Sequence, residues 1–154
     1  MGLLVLVYQN FFKMKNQLNV SKIIVAGFVI GIVLSLMSYG GLYLSIQLIP
    51  EIFTQYNNPL FNSNGNRDAL FYSHAFVISQ ALSWSWAILK SQLKGNILIR
   101  GISFGLIYAV IALLPVMWIT FSSLDISFEM VASWFTYGFM QAVIAGVLFA
   151  KFYP

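Results

Sequence analysis

The one histidine of the sequence, His74, lies in an apolar stretch long enough to cross a membrane. An ionisable side chain is costly at that depth and is by default a candidate for function. In a helix that starts near Asp68, His74 lies roughly one and a half turns from the end of the stretch. The carboxylates of Glu51 and Asp68 and the amide of Gln47 precede that end, so these four residues form a predicted polar vestibule. The structural alternative is a histidine that bonds to a backbone carbonyl.

Two glutamines form a second polar group. Gln80 and Gln141 each lie twelve residues after an acidic residue, Asp68 and Glu129 respectively, which puts both near the middle of predicted helices. Polar side chains at that depth usually hold helices together through hydrogen bonds. The functional alternative is that they line the path of a substrate.

Other chemistry is not indicated by the sequence. It contains no cysteine and no second histidine, so disulfides, thiolate sites and histidine pairs for a metal ion are excluded. It carries no catalytic or cofactor motif, and we expect no catalytic residue, no cofactor, no metal and no enzyme activity. The net charge of +4 comes from a few cations that flank apolar runs. Lipid headgroups explain such cations, so nucleic acid is not an expected partner.

The composition indicates the class of protein. Of the 154 residues, 60% are hydrophobic and only 8% are charged, against about 45–50% apolar and about 25% charged residues in soluble proteins. We therefore predict an all-α integral membrane protein, an antiparallel four-helix bundle. Four spans of about 20 residues nearly fill such a chain. The predicted spans are 22–49, 69–89, 97–119 and 128–150, which form one bundle over 22–154 behind a cytoplasmic or interfacial segment over 1–21.

Small residues recur at four-residue spacing in every predicted span and allow helices to approach closely in lipid. The glycines predicted to lie at helix contacts are Gly27, Gly31, Gly101, Gly105, Gly138 and Gly146. Gly40, Gly41 and Pro50 predict a bend or an end of the first span, and Pro115 predicts a kink in the third.

The stretch from Lys90 to Arg100, called the hinge below, predicts the orientation. It carries three cations and no acid, and the positive-inside rule puts such a connection in the cytoplasm. With the hinge inside, Arg67 is the only cation of the sequence on the outer side. We therefore expect both termini in the cytoplasm and localisation in a bacterial inner membrane.

Two known classes of four-span membrane proteins differ from this sequence. Small multidrug transporters carry a glutamate within their first span, whereas no acid lies between Lys22 and Glu51. Membrane enzymes of the glutathione-transferase type carry basic residues along their bundle, whereas this chain has only Arg100 at its inner edge.

The sequence resembles the uncharacterised small four-helix bacterial membrane proteins of unknown function, and the resemblance rests on Ala26-Gly27, a Gly40-Gly41-Leu42-Tyr43 turn, Asn58-Pro59 and the Gly101/Gly105 pair. That resemblance implies a four-helix membrane fold and no particular activity.

Two functions agree with these features. The first is a structural or interaction role in the membrane, with the lipid bilayer as surroundings and a second copy or another membrane protein as candidate partner. The alternative is a small transporter or ligand-binding protein with an outward-facing polar vestibule. An enzyme is the third and weakest interpretation.

Single cysteines test the predicted topology, because the natural sequence has none. In a Ser63→Cys variant the thiol should react with a membrane-impermeant maleimide added to intact cells, since the 51–68 connection is expected outside. In a Lys94→Cys variant the thiol should react only after the membrane is permeabilised. Labelling of Ser63→Cys from the cytoplasmic side alone would show that the orientation is inverted.

Overall fold

A computed structural model of the chain describes residues 19–57, 61 and 68–154, and within these ranges the chain is helical and has no strand. The all-α prediction is therefore confirmed for this part of the chain. The α-helices, in chain order, are α1 (Val20–Leu48), α2 (Pro50–Thr54), α3 (Asp68–Leu89), α4 (Ile97–Tyr108), α5 (Leu114–Ser123) and α6 (Phe128–Phe152). A 3-10 turn (Gln55–Asn57) follows α2, and a π-helical turn (Ala109–Leu113) joins α4 to α5. Residues 1–18 of the predicted N-terminal segment, and Asn58-Pro59, lie outside the described residues.

Three helical segments of the described chain are long and apolar enough to cross a membrane: Val20–Leu48, Ile97–Ser123 and Phe128–Phe152. They support the prediction of a membrane protein. Helix α3 has 22 residues, about 33 Å at about 1.5 Å per residue, which matches a hydrocarbon core of about 30 Å. It carries more polar side chains than the other three segments, and its crossing of the membrane stays a prediction.

Side-chain caps begin the helices close to the predicted boundaries. The side-chain oxygens of Asn19, Asn96 and Ser127 each accept a hydrogen bond from the backbone N–H three residues later, as N-cap residues do. Ser127 thus caps the helix that the sequence predicts from residue 128. The predicted spans 22–49, 69–89 and 128–150 differ from α1, α3 and α6 by at most two residues at either end, whereas the third helical segment runs four residues past its predicted end at 119.

The turn predicted at Gly40 is absent, whereas α1 does end next to Pro50, as predicted. The residues of the predicted turn, Gly40-Gly41-Leu42-Tyr43, lie within α1, which continues to Leu48. Lipid offers no partner for a freed backbone group, so a glycine pair in an apolar segment stays hydrogen-bonded in the helix. The predicted 51–68 loop also starts in helical conformation, because α2 and the 3-10 turn extend to Asn57.

The irregularity predicted at Pro115 lies just before that residue. A proline inside an α-helix has no N–H to donate, and its ring clashes with the carbonyl four residues earlier. The chain widens into the π turn directly upstream, where the N–H of Leu114 bonds to the carbonyl oxygen of Ala109, five residues back. Such a wide turn absorbs the extra space that the proline ring needs.

Helix α1 packs on α3 through polar side chains as well as glycines. The Ser83 hydroxyl donates to the carbonyl oxygen of Ile23 at 2.7 Å, and the Gln80 amide donates to that of Ile24 at 3.0 Å. A Cβ added at Gly27 would lie 2.7 Å from the Gln80 side chain. This pair of helices is therefore joined by hydrogen bonds next to a close glycine contact.

All six glycines that the sequence predicts at helix contacts lie against other residues of the fold. A Cβ added at any of them would come within 3.0 Å of another residue: Gly27 faces Gln80, Gly31 faces Phe76 and Ser79, Gly101 faces Val147, Gly105 faces Val143, Gly138 faces Leu113, and Gly146 faces Gly101. At Gly101 a Cβ would lie 2.7 Å from the backbone N of Val147, and at Gly146 it would lie 2.9 Å from the carbonyl oxygen of Gly101. Helices α4 and α6 thus meet backbone to backbone.

Aromatic side chains fill the space between the helix pairs at the hinge end. Trp86, Phe104 and Phe149 are each at most 1% exposed, and the Trp86 ring lies 5.3 Å from the Phe104 ring and 5.9 Å from the Phe149 ring. The indole N–H of Trp86 donates to the carbonyl oxygen of Tyr153 at 2.9 Å, and the Arg100 guanidinium lies 5.2 Å above its ring. This end of the molecule is therefore solidly packed.

The cations of the hinge gather against this aromatic cluster. The Lys90 ammonium donates to the carbonyl oxygen of Pro154 at 2.7 Å and lies 4.2 Å from the centre of the Tyr153 ring. Burial, together with the positive charges of Arg100 and Lys22, lowers the pKa of Lys90 below its ordinary value. Lys22, Lys90 and Arg100 thus lie near enough to one another for their charges to interact.

We expect Gly105→Leu and Gly146→Leu to destabilise the protein, because each side chain would have to displace the backbone of the facing helix. The loss should be about 1–3 kcal/mol or more, the usual cost of overpacking. Val110→Leu is the matched control, since Val110 is 65% exposed on the same helical segment as Gly105. Thermal unfolding in detergent measures the effect, and equal midpoints for all three variants would contradict the packing described above.

Candidate functional site

A partly open cavity of about 540 Å³ lies in the half of the molecule far from the hinge. Cavities of roughly 300–1,000 Å³ are the usual size for small-molecule sites. Its walls come from the second half of α1, the first halves of α3 and α6, and the segment around the π turn. They are mostly apolar or aromatic, and the lining residues are Ser35, Ser38, Tyr39, Gly41, Leu42, Ser45, Ile49, Tyr56, Leu70, Tyr72, His74, Ala75, Ile78, Tyr108, Leu113, Met117, Ser133, Trp134, Tyr137, Gly138 and Gln141.

The sequence explains why the cavity lies at this end. Small residues, Gly41, Ala75 and Gly138, line it where three different helices face one another, whereas Trp86 and Phe149 occupy the corresponding space at the hinge end. The π turn contributes as well, because π turns re-aim side chains and are common at functional sites.

A half-buried hydrogen-bond network, which includes the fully buried Gln141, forms the floor of the cavity. The Tyr137 hydroxyl donates to the Ser38 hydroxyl at 2.6 Å, and the Ser38 hydroxyl donates to the carbonyl oxygen of Leu34 at 2.7 Å. The Gln141 amide nitrogen donates to the oxygens of Tyr137 and Ser38 at 3.2 and 3.4 Å. The network joins α1 to α6, two helices that belong to different close-packed pairs.

The carboxamide oxygen of Gln141 has no hydrogen-bond partner among the described residues, although the side chain is fully buried. Exchanging the amide oxygen and nitrogen would not satisfy the group. In this network the hydroxyl hydrogens of Tyr137 and Ser38 bond to Ser38 and to Leu34. Both oxygens then accept from the amide, and this assigns the N–H groups of Gln141 to that side. A buried acceptor left without a partner costs about 1–3 kcal/mol. Such a cost calls for a partner that the protein itself does not supply.

Aromatic rings form the walls above this floor. The rings of Tyr39 and Tyr72 stack with their centres 5.6 Å apart, and those of Tyr56 and Trp134 lie 6.3 Å apart. The Trp134 indole N–H donates to the Tyr56 hydroxyl at 2.6 Å. Burial raises the pKa of Tyr56, and the hydrogen bond from Trp134 opposes that rise. A phenol held in this way stays protonated at neutral pH.

The predicted polar vestibule is only partly assembled. His74 lines the cavity, whereas Gln47 and Glu51 are exposed and do not belong to its lining. The helical period explains the difference: Ser45 and Ile49 share the cavity-facing line of α1, and Gln47 lies midway between them on the opposite side. The side chain of Asp68 lies outside the described residues.

The two predicted mid-membrane glutamines have different surroundings. Gln80 donates to Ile24 across the α1–α3 contact and does not line the cavity. Gln141 lies at the floor of the cavity with its oxygen unsatisfied. The hydrogen bond of Gln80 joins two helices, whereas the oxygen of Gln141 is an acceptor at the cavity that no described residue uses.

Several residues of the site were not predicted from the sequence, above all Ser38, Tyr137, Tyr56 and Trp134. A signal for Tyr137 exists, because Ser133, Tyr137 and Gln141 repeat at four-residue spacing and therefore follow one face of α6. The spacing of residues within either helix does not indicate that this face meets Ser38 on α1.

Comparison with protein-family models, with curated proteins and with solved structures found no match for this chain. Within the described residues, no group of three or more His, Cys, Asp or Glu residues is arranged to hold a metal ion. The residues that line the cavity are therefore what indicates its chemistry.

We expect Ser38→Ala to destabilise the protein, because it removes the shared partner of Tyr137 and Gln141 in a half-buried place. The loss should be about 1–3 kcal/mol. Ser35→Ala is the matched control, since the Ser35 hydroxyl donates to Gly31 within its own helix, and its effect should be clearly smaller. In the double variant Ser38→Ala/Tyr137→Phe the losses should be less than additive; additive losses measured by thermal unfolding would rule out the network.

Proposed function

We propose that this protein is a small polytopic membrane protein that binds an apolar small molecule in the far-end cavity, as a receptor does or as a transporter does at its central site. One observation carries the proposal: a cavity of about 540 Å³ whose floor includes a fully buried glutamine with an unsatisfied oxygen. That oxygen lies at the cavity and can accept a hydrogen bond from a molecule held there.

The proposal includes the architecture, an antiparallel four-helix bundle in which α3 also crosses the membrane. The order of the contacts supports it. Ile23, near the start of α1, meets Ser83 near the end of α3, and Tyr39 in the later part of α1 meets Tyr72 near the start of α3. The same inverse order relates α4 to α6. In this architecture the two close-packed pairs diverge toward the far end, where the cavity lies.

The proposal also includes an orientation in a bacterial inner membrane, with the hinge and both termini in the cytoplasm. The cluster of Lys22, Lys90 and Arg100 at one end supports it, because cations collect on the cytoplasmic side. The cavity then opens toward the outer side. A ligand would reach it without crossing the packed cytoplasmic half.

A structural or interaction role is the second candidate function, and one feature favours it. Helix α5 has no buried residue, and Trp118 on that helix is 76% exposed. A face of this kind suits lipid, a second copy of the chain or another membrane protein. Cross-linking in the membrane with no product larger than the monomer would argue against the last two.

The proposed function is tested by filling the cavity. A Cβ at Gly41 would meet the Tyr137 ring at an ordinary 3.5 Å, so a leucine there extends into the cavity without a backbone clash. We expect Gly41→Leu to lower the affinity for phenylbutanol, a neutral apolar probe, by about tenfold or more, because each kcal/mol or so of lost contact changes Kd severalfold. Calorimetry on protein in lipid nanodiscs, with empty nanodiscs subtracted, measures the effect.

Gly40→Leu is the matched control, because a Cβ at Gly40 has nothing within 4 Å and the residue is exposed. It should leave the affinity unchanged. If the wild type does not bind the probe, or if both variants bind it as the wild type does, the cavity is not the binding site and the proposal fails.

A further inference from the structure

Three of the four serines that line the cavity, Ser35, Ser38 and Ser133, have already used their hydroxyl hydrogens. Each donates to a backbone carbonyl of its own helix: Ser35 to Gly31 at 2.8 Å, Ser38 to Leu34 at 2.7 Å, and Ser133 to Met130 at 2.7 Å. A hydroxyl carries one hydrogen and two acceptor lone pairs. These serines therefore offer a ligand acceptors and no donor.

The other polar groups near the floor have also used their hydrogens. Tyr137 gives its hydrogen to Ser38, and the two N–H groups of Gln141 face Ser38 and Tyr137. The indole N–H of Trp134 is bonded to Tyr56. What these groups leave open is the carboxamide oxygen of Gln141 and hydroxyl lone pairs, which together form an electronegative floor.

The charge and the aromatic rings of the lining also favour a cation over an anion. Among the described lining residues there is no lysine and no arginine, so an anion would find no cation. The faces of Tyr39, Tyr72 and Trp134 are electron-rich, and such faces attract an organic cation. At the floor a carboxylate or phosphate would lose its hydration and meet acceptors instead of donors, which is strongly unfavourable.

We infer that the ligand of this cavity is an apolar molecule that carries a primary amine. This inference rests on the proposed function and names its ligand class. A primary ammonium has three donors and no acceptor, which matches a floor that has acceptors and no free donor. The amine bonds to the oxygen of Gln141 and to hydroxyl oxygens beside it, and the apolar body lies among the aromatic walls. His74 lies at the exposed part of the lining.

Four probes with one apolar body test the inference: phenylbutylamine, phenylbutanol, phenylbutyrate and phenylbutyl-trimethylammonium. Binding is measured by calorimetry on protein in nanodiscs of neutral lipid, with empty nanodiscs subtracted. The amine should bind about tenfold or more tightly than the alcohol, because hydrogen bonds to charged groups are the stronger ones. Phenylbutyrate should bind more weakly than the alcohol. The quaternary ammonium, which keeps the charge but has no N–H, should bind more weakly than the primary amine.

Variants at the two glutamines test whether the amine binds at Gln141. Gln141→Met keeps the size of the side chain and removes the acceptor, so the affinity for phenylbutylamine should fall about tenfold while that for phenylbutanol changes less. Gln141→Glu puts a carboxylate at the same place and should strengthen binding of the amine. Gln80→Met is the matched control, since Gln80 does not line the cavity, and it should change neither affinity. A thermal unfolding transition in each variant verifies that it is folded.

The outcomes separate the two proposals. If no probe binds, or if binding does not respond to Gly41→Leu, the proposed function itself fails. If phenylbutanol binds in a way that responds to Gly41→Leu, but phenylbutylamine binds no more tightly or loses nothing in folded Gln141→Met protein, only the inference about the amine is overturned. Equal affinity for the primary and quaternary ammonium probes would also overturn it, because the acceptor floor would then play no part.

Discussion

The backbone contact between α4 and α6 is the constraint on which the rest of the molecule depends. Gly146 approaches Gly101 so closely that a single added Cβ would lie 2.9 Å from a carbonyl oxygen. In lipid there is little hydrophobic drive between helices, and the attraction comes from such close packing. With α4 and α6 in contact here, the bulky side chains of Trp86, Phe104 and Phe149 complete the packing at the hinge end.

The two halves of the molecule use different means of holding the helices together. At the hinge end, large aromatic rings fill the space between the helix pairs. At the far end, glycine, alanine and serine leave that space open, and the bonds of Ser38, Tyr137 and Gln141 join α1 to α6 across it. A hydrogen-bonded floor below an open space lets the helices stay in register without filling the cavity. That combination suits the ligand site proposed above.

Local rules predicted the helices well and their irregularities poorly. The caps at Asn19 and Ser127 depend on side chains within one turn of the helix start, so they are accessible from sequence. The Gly40-Gly41 pair misled the prediction because turn statistics come from chains in water, where a freed backbone group finds a partner. The π turn was missed because the sequence around Pro115 indicates that an adjustment is needed, but not on which side of the proline the helix makes it.

What the sequence by itself determined is the all-helical membrane class, the ends of the helices, the glycines that allow close contact and the gathering of cations at one end. These follow from composition and from spacings of three or four residues, which act within a single helix. Only the tertiary structure decided that Ser38 and Gln141, 103 positions apart, share one network, that Gln47 lies away from the cavity, and that the Gln141 oxygen is left unsatisfied. The rotation and tilt of one helix against another depend on many weak contacts at once, and no single stretch of sequence contains that information.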